Sequence, residues 1–222
     1  MRPLVSVVIP VLNDSDAAEQ LLAGVVPGPD VELIIVDGGH DGRLEQLARA
    51  RDDTRFVRTA TGRGLQMNAG AAAASGEWLL FLHADSRLPP GWLDAIGRIR
   101  QPTVGGWFRF ALDDAAWQAR ALERMVAWRV RWLRLPYGDQ GFLVRRDVFK
   151  AMGGFADLPI MEDVEYACRL RRAGSVHEIG LPLRTSSRRW RRDGWIRRSM
   201  RNALLVSLYF AGVSPARLAR WY

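Results

Sequence analysis

The sequence predicts an α/β domain. Three observations carry that class. Short, β-compatible apolar runs recur at residues 4–10, 31–36 and 77–82, each stops in a polar or glycine-rich loop, and helical patterns fill the gaps between them. A strand buried on both faces reads as an unbroken apolar run instead of an alternating one. Strand–helix alternation then implies a parallel sheet with helices on both sides.

Residues 4–10 (LVSVVIP) form the first predicted strand and 10–14 its exit loop, with Asp14 or Ser15 capping a helix through Leu22. Residues 31–36 are the second strand, and DGGHDG (37–42) is its exit loop, where glycines permit close backbone approach. A helix to about Arg51 and a short strand at 55–58 follow, and GRGLQMNAG (62–70) opens an alanine-rich helix through Ala74. The strand at 77–82 ends in His83-Ala84-Asp85. Side chains at i and i+2 share a side of an extended chain, so His83 and Asp85 are expected to face one ion or phosphate. The second half predicts a helix at 90–100, an aromatic strand at 105–112 and a helix at 115–133. The large apolar positions of that last helix are Trp117, Leu122, Met125, Trp128 and Trp132. Trp117, Trp128 and Trp132 read as core or interface. A loop at 136–141, a strand at 142–144, a turn at 152–155 and a helix at 161–172 precede a C-terminal segment, 195–222.

The 222 residues, 48% hydrophobic, suit a single domain over 1–194 with that segment as an extension. Thirty-two basic against 24 acidic residues give +8, with Lys150 the only lysine; arginine forks suit phosphates. Cys168 is the only cysteine, which rules out an intrachain disulfide and fits a reducing compartment. Met1-Arg2-Pro3 runs straight into a strand, and no apolar run is long enough to span a bilayer. The expected location is cytoplasmic. Residues 203–213, behind Arg197, Arg198 and Arg201, are expected either to lie as an interfacial helix on the inner face of the membrane, or to pack on the domain or dimerise.

Four polar clusters sit at strand ends or helix starts: Asn13/Asp14, residues 37–41, Arg63 to Asn68, and His83/Asp85. In a parallel sheet these converge on one edge. Asp37 can accept a hydrogen bond from a base or ribose, and Arg63 can hold a diphosphate beside a helix N-terminus. Neither GRG nor DGGHDG has dinucleotide-fold or P-loop spacing. Glu162, Asp163 and Glu165 crowd one first helical turn, where the dipole favours acids and would keep a general base ionised. Asp139, next to Gln140 in a glycine-flanked loop, is a candidate lining of an acceptor pocket. His40 and His177 have no partner at metal-ligand spacing.

SVVIPVLND, VELIIVDGG, GRGLQMNAGAAAASGEWLLFLHAD, GDQGFLVRRDVF, GGF and MEDVEYACRLRRAG, in that order over nearly the whole chain, resemble the family 2 glycosyltransferases of GT-A fold. The resemblance is closest to a compact bacterial subgroup carrying GRxxQMN, HAD, PYGDQG and SxRRW, some members of which are labelled arsenosugar-biosynthesis glycosyltransferases. It implies a Rossmann-like mixed sheet flanked by helices, with a donor half at about 1–100 and an acceptor half at about 101–194. It implies inverting transfer from a nucleoside-diphosphate sugar, with uridine favoured as the base, to a small or lipid-linked hydroxyl acceptor, without nucleic acid as a partner. Pro10, Asn13, Asp37 and Gly38 would line the nucleotide pocket, and Arg63, Gln66 and Asn68 would complete the donor site. His83-Ala84-Asp85 occupies the place of the D-x-D motif, so Asp85 would ligate a divalent metal, Mn2+ or Mg2+. His83, where an aspartate is usual, is a second candidate ligand. Asp163 matches the expected base, with Asp139, Gln140 and Glu162 on the acceptor side. SSRRW matches the motif of processive relatives only in part, which argues against a polysaccharide synthase. The alternatives are a nucleotidyltransferase, or a basic module binding nucleic acid or anionic lipid without catalysis.

Overall fold

The computed structural model describes residues 3–39 and 42–222; His40 and Asp41 of the predicted exit loop lie outside the described residues. The first half alternates as expected: β1 (Val5–Val11), α1 (Ser15–Ala23), β2 (Val31–Asp37), α2 (Gly42–Arg49), β3 (Thr54–Arg58), α3 (Arg63–Ala73) and β4 (Trp78–Phe81). A two-residue β5 (Ser86–Arg87) and α4 (Trp92–Gly97) lead to β6 (Thr103–Leu112), α5 (Trp117–Leu133), β7 (Phe142–Arg145) and α6 (Arg146–Ala151). The chain continues through α7 (Glu162–Ala173), β8 (Ser175–Thr185), α8 (Arg188–Asp193), α9 (Trp195–Phe210) and α10 (Pro215–Ala219). Among the described residues all eight strands join one sheet in the order β3-β2-β1-β4-β7-β6-β8-β5. The β3-β2-β1-β4 part is parallel, while β7 runs antiparallel to both β4 and β6, so the sheet is mixed.

The strand pleat accounts for the apolar runs. Val5, Val7 and Ile9 of β1, Leu33 and Ile35 of β2, and Leu80 of β4 pack with α1, α2 and α4 on one face. Val8, Ile34, Val36, Leu79 and Phe81 pack on the other, with residues of α3, α7, α9 and α10. Both faces are covered, so successive residues are apolar. Pro10 is tolerated inside β1 because β4 has already ended at Phe81, opposite Val8, leaving no neighbour there that needs an amide.

Four expectations need correction. Asp14 occupies the N-cap position of α1 but makes no side-chain cap; its carboxylate pairs with Arg188 instead. His83 and Asp85 are not extended, because the Ser86 amide donates to the His83 carbonyl and closes a turn; His83 meets Arg63 while Asp85 meets Thr185 and Arg188. For Trp117, Trp128 and Trp132 only the core half of the reading is overturned, and the interface half is left standing: α5 buries Ala119, Leu122, Val126 and Val130, and the tryptophans stand in solvent. Strand β8 was not foreseen at all. Gly180 and Pro182 interrupt it, its pairing with β6 is irregular, and its burial follows no clean alternation. The stretch 203–213 partly packs on the domain: Leu205 is buried, and Val206, Leu208, Tyr209 and Val213 lie against the same core, while Leu204 and Phe210 stay exposed.

Candidate functional site

The carboxyl ends of β1 and β4, the first turns of α3 and α7, and the loop before β7 surround a cavity of about 490 Å3. Pro10, Arg63, Gln66, His83, Ala84, Asp85, Asp139, Glu162 and Asp163 all line it. A larger groove of about 770 Å3 lies away from these strand ends, between α5, α7 and β8.

Asp163 is the best-held group. Its Oδ2 accepts the Gly138 amide at 2.9 Å and lies 3.3 Å from the Arg63 guanidinium, while its Oδ1 accepts the Val164 amide at 2.8 Å. Burial raises its pKa, but Arg63 and the two amides outweigh burial and hold it below the ordinary carboxylate range. The carboxylate is therefore ionised at neutral pH. Gly138 makes this approach possible: a Cβ there would lie 3.1 Å from His83 Nε2 and 3.3 Å from Asp163 Oδ2. Met161, just before Glu162, has φ 68°, a left-handed conformation unusual for a residue with a side chain. Backbone strain of this kind gathers at functional sites.

Arg63 bonds Glu162, reaches Asp163, and places a guanidinium nitrogen 3.2 Å from His83 Nε2. Burial and that guanidinium drive the imidazole down to about 3, with Asp163 opposing, so His83 is neutral at physiological pH. Asp139 behaves in the opposite way. Its Oδ1 is buried with no hydrogen-bond partner among the described residues, and burial with the charges of Asp163 and Asp85 pushes it up to about 6, against Arg129 and Arg63. Asp85 meets Thr185 Oγ1 at 3.4 Å and Arg188 at 3.9 Å.

Among the described residues no three histidine, cysteine, aspartate or glutamate side chains gather in a metal cage. The residues present fit a cation held by one carboxylate, Asp85, and completed by phosphate oxygens, the arrangement hard divalent ions favour. The orphaned oxygen of Asp139 and its interaction with Asp85 mark excess negative character on that side. His83 does not fit, since its Nε2 faces a guanidinium.

Other predicted residues lie around the cavity or behind it. Asp37 is fully buried at the end of β2, accepts the Gly39 amide at 2.8 Å and lies 3.7 Å from Arg58. Gln66 donates to the Val11 and Val36 carbonyls at 2.8 and 2.9 Å, tying the ends of β1 and β2 together, and its amide fills the space beside Gly38. Asn13 has φ 53° and sits beside Gly39. Asn68 turns away to clasp both the amide and the carbonyl of Phe155. Gln140 is buried behind the loop and bonds the Phe108 carbonyl. Sequence reasoning missed Gly138 and the C-terminal wall, where Arg188, Arg189, Arg198, Asn202 and Tyr222 reach the same cavity. The signal for Arg188 and Arg189 was SSRRW itself, which places both directly after β8.

Residues 6–180 match Glycosyl transferase family 2. The chain belongs to that family. It is a glycosyltransferase. It is 28% identical, over 96% of its length and 78% of the relative's, to an uncharacterized protein of Mycobacterium tuberculosis. It is 29% identical to undecaprenyl-phosphate 4-deoxy-4-formamido-L-arabinose transferase from Edwardsiella ictaluri, over 47% of this chain and 39% of that one. Among solved structures, the mannosyltransferase PcManGT from Pyrobaculum calidifontis, in complex with GDP-Man and Mn2+, superposes with a TM-score of 0.63 at 20% identity, over 83% of this chain and 57% of that one. The S. aureus TarS 1-349 complex with UDP-GlcNAc gives 0.64 at 16% identity, over 84% and 58%. These likenesses establish a GT-A-like fold; the glycosyltransferase spans less than two thirds of the length of either solved chain.

Proposed function

We propose that this glycosyltransferase moves a sugar from a nucleoside diphosphate to a hydroxyl acceptor in a single inverting displacement, with Asp163 as the base. The observation that carries this reading is an ionised, buried carboxylate, fixed by the Gly138 amide and Arg63, on the wall of the cavity at the strand ends. The acceptor oxygen bonds to the anomeric carbon as the bond to the diphosphate breaks on the opposite side. The hydroxyl proton passes to Asp163, and the nucleoside diphosphate leaves. Asp37 and Asn13 address the nucleoside, while Arg63 and the first-turn amides of α3 face the growing negative charge. His83 positions Arg63 and ligates nothing. A divalent cation bound at Asp85 would supply Lewis-acid stabilisation of the leaving diphosphate. The named substrates of relatives, GDP-Man, UDP-GlcNAc and a lipid phosphate, support a nucleotide-sugar donor and make a lipid-linked acceptor a reasonable first choice.

The test is turnover of a panel of uridine and guanosine diphosphate sugars by Asp163→Asn. Loss of about 10²- to 10⁴-fold is expected, with thermal stabilisation by the nucleoside diphosphate retained. Turnover equal to the parent protein would remove Asp163 from the role.

A further inference from the structure

We propose that the outward face of α5 is a docking surface for an anionic lipid bilayer. A helix on a soluble domain ordinarily turns charged and polar residues outward. Here the inner stripe, Ala119, Leu122, Val126 and Val130, is already satisfied against β6 and Trp190. The outer stripe repeats the helical spacing with Trp117, Ala121, Met125, Trp128 and Trp132. The three indoles are 74%, 62% and 67% exposed. From Trp117 to Trp132 the stripe runs about 22 Å along the helix axis. Tryptophan is the side chain that settles at the headgroup level of a membrane, with an apolar ring and one polar N–H.

Charge selects the occupant. Arg124 and Arg131 lie among the indoles without a carboxylate partner among the described residues, and α5 exposes no acidic residue. Glu123, its only acid, is turned inward onto the Leu112 amide and Arg120. At the C-terminal end the surface continues into the 770 Å3 groove, where Arg131, Arg134, Arg171 and Arg172 face a single carboxylate, Glu178. Arg134 holds a left-handed φ of 48°, and Trp107, whose buried indole N–H has no acceptor among the described residues, lines this groove. Two copies of the chain meeting through this face would set arginine against arginine. An anionic headgroup layer supplies the phosphate oxygens that the face lacks.

A second apolar stripe lies on α9, where Ile196, Met200 and Leu204 are exposed at i, i+4 and i+8. Trp195 at the start of that helix packs against the cluster that holds α5. The surface stands independently of the sugar-transfer reading, because none of its residues lines the strand-end cavity.

The experiment is flotation of the full chain with vesicles of phosphatidylglycerol plus phosphatidylcholine, and with phosphatidylcholine alone. The parent protein is expected to float with the anionic vesicles at low salt and to be released by high salt. Trp128→Ser/Trp132→Ser is expected to lower partition at least about tenfold, with far-UV circular dichroism and nucleoside diphosphate binding in free solution unchanged. Ile196→Ser/Met200→Ser tests the second stripe and is expected to have the smaller effect. Failure of the parent protein to float, undiminished partition by the tryptophan variant, or a solution dimer that the tryptophan variant dissociates would each overturn the proposal. Failure of donor binding alone would bear on the sugar-transfer reading and leave the lipid result standing.

Discussion

Glu32 is a carboxylate buried near the amino end of β2, where four donors converge on one oxygen. Ser6 Oγ donates to Oε1, joined by the Ser75 amide at 2.5 Å, the Ser75 hydroxyl at 2.9 Å and the Gly76 amide at 3.0 Å. Burial alone would raise its pKa, but these donors lower it below the ordinary value. The folded protein thus favours the charged form more than the unfolded chain does. That stabilisation is complete above the unfolded value of about 4.3 and is lost as pH falls through the lower folded value. Glu32→Gln is expected to cost about 1–3 kcal/mol at neutral pH and to flatten the acid limb of the urea midpoint plotted against pH. An acid limb identical to the parent's would assign that limb to other carboxylates. At the same scale, the sequence showed which polar residues cluster but not which way they point. Asp163 and Arg63 could be placed at one site in advance through family resemblance, but not as an ion pair, and Gln66, Asn68 and Gln140 differ only in which backbone groups happen to need a partner.

Helix α3 shows what elements do that single residues cannot. Gly70 presses it onto the sheet: a Cβ there would lie 2.3 Å from Val8 Cγ1 and 2.8 Å from Val36 Cγ2. Gly70→Ala is expected to destabilise the fold by about 1–3 kcal/mol through this overpacking, measured by chemical denaturation. A neutral result would mean that the helix can lift off β1 and β2 without loss. The same close approach explains why so much of the donor side was legible. Continuous apolar runs stopped by polar loops are what doubly covered parallel strands must look like, and their exits had to converge. Strand β8 was illegible because Gly180 and Pro182 break its pattern and pairing with β6 supplies the order instead. Helix α5 was foreseen as a helix, but the core half of the reading of its tryptophans failed for a different reason. Its spacing carries two apolar stripes, and the small inner one, not the tryptophans, makes the core.

At the scale of the molecule, the family match ends at residue 180, yet the cavity does not. Arg198, Asn202, Leu205 and Val206 of α9, and Tyr222 beyond α10, line the same space as Pro10 and Asp163. The anchor of this last wall is Leu218, fully buried in the core shared by α3 and α7. Leu218→Ala is expected to cost about 2–5 kcal/mol and to weaken thermal stabilisation by a nucleoside diphosphate. Unaltered ligand stabilisation in a destabilised variant would show that the wall is dispensable for the donor. Helix α3 also bears on redesign. Arg63 answers to Glu162 and Asp163, Gln66 to two strand ends, Asn68 to the Phe155 turn and Gly70 to two valines. These four positions are already spoken for, so randomising them would sample mostly unfolded protein. Altered sugar preference is better sought at the rim, at Leu12, which lines the cavity and stands half exposed.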